Sequence, residues 1–466
     1  MQQSKVLEMV IALEEERRQQ EQQENQNLSD TERRLKQNPL GVILKDNLPW
    51  ILLSDEFTGE QKKAAGMIAV CKTEALGGYL EYCSHCEKAV DFHYCSCNNR
   101  NCPYCQYPMQ EKWIDIRKTE IIPGVPYYHI ILTCPHDLNP LFEANSKLLL
   151  NLLMKSSSQA VITMCKNPKV LGAVPSILSV LHTWTSDLKP HFHSHMLVSG
   201  GGLDADGKFI RLTDLRKAQK QARAQATALK NGESAESAND SSDNNGNDYF
   251  LSLRALTSLF RAIFMVGLRK LYENHQLKLP DSMEELNDPI EWSRFCYRME
   301  QKDWIGDIEK ASDRGENVIE YFARYAYRTA ISNSRIVSYD GQSVQFTVRD
   351  KNTESGKKTI SLDVHAFIRR YLCHILPKGF TRVRFFGILA NAQKRKNLQA
   401  IYDQIDGVSY SPSPLQNLKG IELMKALMPD NNYGICPLCS GKLTPLPFGN
   451  ASEPWRFQNK RRKRGT

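Results

Sequence analysis

Residues 191–198 read His-Phe-His-Ser-His-Met-Leu-Val, a run that begins polar, ends apolar and leads into Gly200, Gly201 and Gly202. Alternate side chains of a strand share a face. His191, His193 and His195 therefore fall on one side, with Phe192, Ser194 and Met196 on the other. The glycines are expected to turn the chain sharply straight after this strand. A second strand is predicted over 126–135, rich in β-branched and aromatic residues and stopped by Pro135. Its alternation puts His129, Ile131 and Thr133 on one face.

Helical spacing dominates elsewhere. It predicts helices over 139–164, over 253–272 with Leu256, Leu259, Phe260, Ile263 and Phe264 as the apolar face, and over 366–376. One or two more are expected within 40–70, around Trp50, Ile51 and Leu52. Over 318–328, at 100° per residue, Ile319, Phe322 and Ala326 form a buried face. Tyr321, Arg324, Tyr325 and Arg328 share the opposite stripe, and Tyr327 belongs to neither. Residues 337–362 read as a meander of two or three strands turning at Asp340-Gly341 and Ser355-Gly356. Val6, Met9, Val10 and Leu13 mark an amphipathic helix that runs into a solvated, disordered stretch over 19–37. Residues 215–248 pass from Lys, Gln and Ala to Ser, Asn and Asp, too polar to stay folded, and are expected to be a disordered insertion.

The chain of 466 residues is long enough for two to four domains. With 41% hydrophobic and 24% charged residues it has the composition of a soluble globular protein. No run of 18 apolar residues and no signal-peptide pattern at the first residues are found, so no membrane span is expected and the cytoplasm is the expected location. The net charge of +9 is unevenly placed and includes the run Lys460-Arg461-Arg462-Lys463-Arg464, which favours a polyanionic partner. In 377–387, Lys378, Arg382 and Arg384 alternate with Phe380, Phe385 and Phe386, a composition able to grip phosphates and stack bases.

Thirteen cysteines in a chain read as cytoplasmic point to metal rather than disulfides. Cys83-x2-Cys86 and Cys102-x2-Cys105 form two turns that can complete one tetrahedral structural zinc site. Cys71, His93, Cys95 and Cys97 can supply a second, with the pairing left open. Cys436-x2-Cys439 is half a site, to be paired with Cys373 and His374 or left unligated. On the histidine strand, neighbouring same-face imidazoles stand about 6–7 Å apart and can reach one divalent cation. His129 becomes a third ligand if its strand lies alongside.

Several blocks, in order, resemble the transposases of bacterial insertion-sequence family ninety-one, rolling-circle enzymes of the HUH (His-hydrophobe-His) class. They are 71–78 (CKTEALGG) with the cysteine module, 181–184 (LHTW), 191–203, 321–336 (YFARYAYRTAISNSRI) and 376–387. Three departures are Phe192 where the family usually has Pro, Asn101 where a His commonly precedes the third knuckle cysteine, and Phe385 in place of a frequent His.

The resemblance implies an α+β fold: a palm-like antiparallel sheet with flanking helices, a zinc-binding module before it and a basic region after it. The implied division is a helical segment over 1–64, the zinc module over 65–110, an HUH domain over 111–345, a DNA-binding region over 346–445 and a basic tail over 446–466. It also implies Mg2+ or Mn2+ on the histidines, with His193 and His195 the favoured pair, and Tyr321 and Tyr325 as nucleophiles that form a 5′-phosphotyrosine. Arg324, Arg328 and Arg335 would contact DNA, the partners being single-stranded DNA and transposon-end hairpins, and the protein would associate with the nucleoid. A plasmid replication initiator or relaxase of the same class, and a non-catalytic zinc-dependent DNA-binding protein, remain alternatives.

Overall fold

A computed structural model describes residues 3–24, 36–231, 250–315, 317–326 and 329–450. Its strands, in chain order, are β1 (Gly78–Cys83), β2 (Lys88–Tyr94), β3 (Tyr127–Thr133), β4 (Val174–Trp184), β5 (Pro190–Leu203), β6 (Phe209–Arg211), β7 (Ile305–Ser312), β8 (Ile336–Tyr339), β9 (Ser343–Arg349), β10 (Lys357–Asp363), β11 (Val383–Gly387) and β12 (Leu443–Phe448). The helices used below are α1 (Gln3–Glu24), α2 (Pro39–Asp46), α3 (Leu48–Leu53), α4 (Gly59–Ala69), α5 (Tyr107–Lys118), α6 (Asn139–Ala144), α7 (Ser146–Cys165), α8 (Leu212–Asn231), α9 (Leu253–Glu273), α10 (Pro289–Gln301), α11 (Val318–Ala326), α12 (Val364–Leu372) and α13 (Lys394–Tyr402).

The central sheet runs β11-β4-β5-β3-β7, with β6 added to β5, and every pairing in it is antiparallel. Both faces are covered, which is why its inner strands are almost continuously buried. On one face Tyr128, Ile130, Leu132, Leu181, Phe192, Met196 and Val198 join Leu149, Leu153, Phe260 and Phe264 of α7 and α9. On the other, Tyr127, Leu178, Val180 and Leu197 meet Ile114 of α5, Val318, Ile319 and Phe322 of α11, and Leu398 and Ile401 of α13. The architecture is α+β, antiparallel, with helices on both sides. A third core packs α2, α3 and α4 against the β10-β9-β8 sheet and α12, and encloses Cys71, Cys97 and Cys102.

Several expectations are corrected. The three glycines do not turn the chain: β5 continues through them to Leu203. They are needed because neighbouring backbone and side chains come too close. A Cβ on Gly202 would lie 2.3 Å from the Val174 carbonyl oxygen, and one on Gly200 would lie 2.7 Å from Pro126. The boundary expected at 345 cuts through the central sheet, since β11 forms its edge beside β4. Nor is the cysteine module contiguous, because β12 returns from the far end of the chain to pair with β1.

Helices extend further than composition implied. α1 runs to Glu24, and α8 covers the first half of the expected insertion. The rest of those two polar stretches (25–35 and 232–249), like the basic tail beyond 450, lies outside the described residues. Residues 139–164 break at Asn145 into α6 and α7, and 40–70 holds three helices. By length and composition α7 is apolar enough to cross a membrane, contrary to expectation, yet 56% of that window is buried in the sheet's core.

The glycine reading gives a direct test. Gly202→Ala forces a side chain onto the β4 backbone and is expected to destabilise by on the order of 1–3 kcal/mol. Gly59→Ala, where nothing lies within 4 Å, should stay within about 0.5 kcal/mol of the parent. Urea unfolding of the two variants checks this, and equal midpoints would contradict it.

Candidate functional site

Antiparallel pairing brings the histidines together from three adjacent strands. In the β4–β5 hairpin His182 stands opposite His193, and in the β5–β3 pair His195 stands opposite Ile131, two residues from His129. His182, His193 and His195 are 3%, 8% and 5% exposed, and one ring nitrogen of each lies within 4.8 Å of the others. His193 Nε2 is 3.0 Å from His195 Nε2.

The remaining ring nitrogens are held from outside the cluster. His182 Nε2 donates to the Tyr325 carbonyl at 2.7 Å. His193 Nδ1 donates to the His191 carbonyl at 2.9 Å, and His195 Nδ1 is 2.8 Å from His129 Nε2. Such outer partners fix which nitrogen of each ring carries its proton and leave the other for a cation. Burial, and next the neighbouring His195, drives His182 well below the ordinary histidine range, which keeps that ring neutral, as a ligand must be. Three imidazoles converging from a rigid sheet, each with an outer partner, fit a single divalent cation.

His129 is placed differently from the ligand role expected for it. It stands outside that triad and bridges it to the tyrosines, with Nε2 on His195 and Nδ1 3.1 Å from the Tyr321 hydroxyl. Burial pushes it down to about 4. His191 is also diverted. Its ring, at the mouth of β5, meets His136 Nε2 at 2.9 Å, and only its carbonyl serves the cluster.

α11 lies over this face because Val318, Ile319, Phe322, Ala323 and Ala326 bury into the core. Tyr321 and Tyr325 are then left half-buried toward the histidines. The Tyr321 hydroxyl is 3.4 Å from Glu309 Oε2 on β7 and 3.5 Å from the Tyr325 hydroxyl. The Tyr325 ring packs 4.6 Å from that of His195 and 4.7 Å from that of His129. Burial, the Tyr325 hydroxyl and Glu309 all raise the Tyr321 phenol above its ordinary range. The Tyr325 carbonyl, near the last described residue of α11, is met from outside the helix. His182 and Arg382, whose Nη2 is 3.2 Å away, both donate to that carbonyl. Tyr327, Arg328 and the side chain of Arg324 lie outside what is described.

The cysteines divide otherwise than expected. Cys83 and Cys86 do not join Cys102 and Cys105. One group is Cys71, Cys97, Cys102 and Cys105, and the other is Cys83, Cys86, Cys436 and Cys439. In the first, Cys97 Sγ is 3.7 Å from Cys105 Sγ, close to the roughly 3.8 Å edge of a tetrahedron with zinc–sulfur bonds of about 2.3 Å. Within the group the thiols of Cys102, Cys71 and Cys97 hold that of Cys105 well below its usual range, while those of Cys97 and Cys102 are raised: sulfurs this close cannot all ionise without a cation among them. His93 and Cys95 join neither group; His93 faces Glu81 and Asp91. His374, offered to Cys436, instead bonds Thr183 and the Leu188 carbonyl.

The basic candidates also differ in placement. Arg335 is turned inward onto the carbonyls of Thr347, Ala330 and Ser186. Arg384 bonds Asn151 and packs over Phe380, while Phe385 and Phe386 pack into opposite cores of the sheet. These aromatics are therefore not open to bases. Lys378 is exposed and Arg382 lies over Trp184 beside the tyrosine helix.

Two family models match. The one described as "Putative transposase" covers residues 176–236 and 227–397, and "Transposase zinc-binding domain" covers 43–134. The chain is 29% identical over 380 residues to "Putative transposase y4qJ" of Sinorhizobium fredii, spanning 81% of this chain and 87% of that protein. It is 24% identical over 409 residues to "Transposase for insertion sequence element IS801" of Pseudomonas savastanoi pv. phaseolicola, spanning 87% and 88%. The chain belongs to the transposases of insertion-sequence family ninety-one. No solved structure matches it. The transposase match takes in β4, β5 and α11, and so the whole histidine triad and both tyrosines. The zinc-binding match holds the Cys71 group complete. As a transposase it acts on DNA and works in the cytoplasm.

Sequence reading missed His182, Asp307 and Glu309. His182 was legible in principle: the turn over 185–189 makes β4 and β5 a hairpin, which sets His182 opposite His193. Asp307 and Glu309 sit opposite Ile131 and His129 through a β3–β7 pairing that nothing local announces.

Buried neutral histidines give a pH signature. His129 and His374 are both held at about 4 in the folded chain, against about 6.5 unfolded. The unfolded chain thus binds more protons between those values. Stability is complete above about pH 6.5 and falls as pH drops toward 4, by about 1.4 kcal/mol per pH unit for each group midway. Urea unfolding across that range should show this slope, and His374→Gln should lessen it. A slope unchanged in that variant would contradict the assignment.

Proposed function

We propose that this transposase cleaves and rejoins single-stranded DNA through a covalent 5′-phosphotyrosine, with Tyr321 the first nucleophile and Tyr325 the second. The observation that carries this reading is the continuous contact from Tyr321 through His129 to His195, at 3.1 and 2.8 Å. That chain couples the tyrosine to the three-imidazole cluster. His182, His193 and His195 would hold Mg2+ or Mn2+, whose chemistry when bound is to polarise the scissile phosphate and offset its developing charge.

The protein's own groups then have definite tasks. With its Nε2 turned to a cation, His195 keeps its proton on Nδ1 and donates it to His129 Nε2. His129 carries its own proton on Nδ1 and aims it at the Tyr321 oxygen, stabilising the phenolate. Glu309 accepts the phenolic proton. The Tyr321 oxygen attacks phosphorus, a phosphorus–oxygen bond to tyrosine forms, and the bond to the 3′ oxygen breaks. That leaving oxygen takes up a proton as a free 3′-OH. The new bond keeps the energy of the old one, so rejoining needs no nucleotide hydrolysis. Tyr325, its hydroxyl 3.5 Å away, serves the second transfer.

Both tyrosines are half-buried against the sheet, so the phosphate must descend to them. A flexible single strand or the loop of an end hairpin does so more readily than a duplex. Lys378, Arg382, Arg324 and Arg328 are the cations proposed for the DNA path, and DNA binding would keep the protein with the nucleoid.

The test uses full-length, zinc-loaded protein with labelled single strands from the element's ends and added Mg2+ or Mn2+. A detergent-resistant protein–DNA band is expected. Tyr321→Phe should weaken the first cleavage more than Tyr325→Phe, and the double change should abolish the band. His129→Gln should slow its formation about 10²-fold and alter its pH profile. A band that survives in the double variant would refute the assignment. Binding with no band from wild type would favour a non-catalytic DNA-binding protein.

A further inference from the structure

The second cysteine group has no part in the nuclease site, and half of it lies beyond the matched families. Cys83 ends β1 and Cys86 follows in the next turn. Cys436 and Cys439 precede β12 and lie outside both the 43–134 and 176–397 matches. β12 pairs with β1 from Gly78 opposite Phe448 to Cys83 opposite Leu443, which brings together two segments far apart in sequence.

The sulfurs meet closely. Cys83 Sγ is 3.5 Å from Cys439 Sγ, Cys86 Sγ is 3.8 Å from Cys436 Sγ, and all four lie within 4.8 Å of one another. None is in a disulfide. These spacings are near the roughly 3.8 Å expected for sulfurs sharing one tetrahedral zinc. The two turns are also built alike. The residue after the second cysteine, Glu87 in one and Ser440 in the other, has φ of 56° and 58°, a conformation uncommon for residues with a Cβ. In the second turn the Ser440 N–H donates to the Cys436 carbonyl and the Cys436 N–H to the Gly441 carbonyl, at 2.9 and 2.7 Å. A Cβ on Gly441 would lie 3.1 Å from Cys83 Sγ and 3.2 Å from Cys439 Sγ, so the chain passes tightly beside the sulfurs. Among the described residues, Leu443 and Val90 are the apolar side chains that join the cysteines at this point, little apolar surface for fixing the geometry of four sulfurs.

We propose that Cys83, Cys86, Cys436 and Cys439 bind a second structural Zn2+ that clamps the C-terminal ribbon onto the N-terminal module. The clamp holds β12 in the β12-β1-β2 sheet, where Phe448 completes a small core with Val6, Val10, Leu80 and Phe92. β12 is thereby anchored beside α1.

Metal analysis of the full-length chain tests this. Wild type should carry two zinc ions per chain, and Cys439→Ser should carry one. Cys439→His, which restores a zinc ligand, should recover the second. In Cys439→Ser, limited proteolysis should release the segment after 430 while the histidine domain stays intact, with the DNA-linked band still formed. Because that band reports the nuclease site separately, failure of the clamp and failure of the proposed function are distinguishable. Wild type with one zinc, or Cys439→Ser retaining two, would overturn the proposal.

Discussion

The site depends on His182 staying neutral while it holds the carbonyl of Tyr325. That carbonyl belongs to the tyrosine helix, and losing a buried hydrogen-bond partner would cost on the order of 1–3 kcal/mol. His182 Nε2 meets it at 2.7 Å and Arg382 shares it. Committing Nε2 outward in this way leaves Nδ1 as the nitrogen that can serve a cation. One hydrogen bond therefore ties the tautomer of a cluster histidine to the backbone of the tyrosine helix. Register does the rest: the hairpin sets His182 across from His193, while α11 buries its apolar face and turns both hydroxyls toward the same spot.

The polypeptide supports this arrangement from a distance. The Cys71 group lies in the core shared by α2, α3, α4, β8, β9, β10 and α12, so the zinc-binding part and the region after the tyrosine helix are one packed body. That core also takes in Trp184, at the end of β4, and Ala330 and Ile331, just beyond the tyrosine helix. Order at the cysteines is thus passed to both sides of the histidine cluster. α5 ties in the helix from its other end, through the 2.5 Å ion pair of Lys118 with Glu320.

Much of this was legible in the sequence where one face of one element decided the matter. Alternation sorted His193 and His195 from Phe192 and Met196, and helical periodicity separated Tyr321 and Tyr325 from Phe322 and Ala326. Choices that depend on another element were not legible locally. Equal CxxC spacing cannot say which pairs meet, because the β1–β12 pairing that decides it joins residues from opposite ends of the chain. His129 has the right face and the right neighbour, yet its Nε2 meets His195 Nδ1 rather than the centre of the cluster. The three glycines signalled a turn but answer to crowding by Pro126, Val125 and Val174. Arg335 stands in a motif that pointed to DNA and is used on backbone carbonyls instead.

The central claim is that three buried imidazoles hold the divalent cation next to Tyr321. Pulsed electron paramagnetic resonance of Mn2+ added to zinc-loaded protein tests this without relying on activity. Nitrogen couplings from histidine rings should appear, and they should be lost together with Mn2+ binding in His182→Ala and His193→Ala but persist in His129→Gln. A bound Mn2+ showing only oxygen ligands, or one whose nitrogen couplings vanish in His129→Gln alone, would contradict the account.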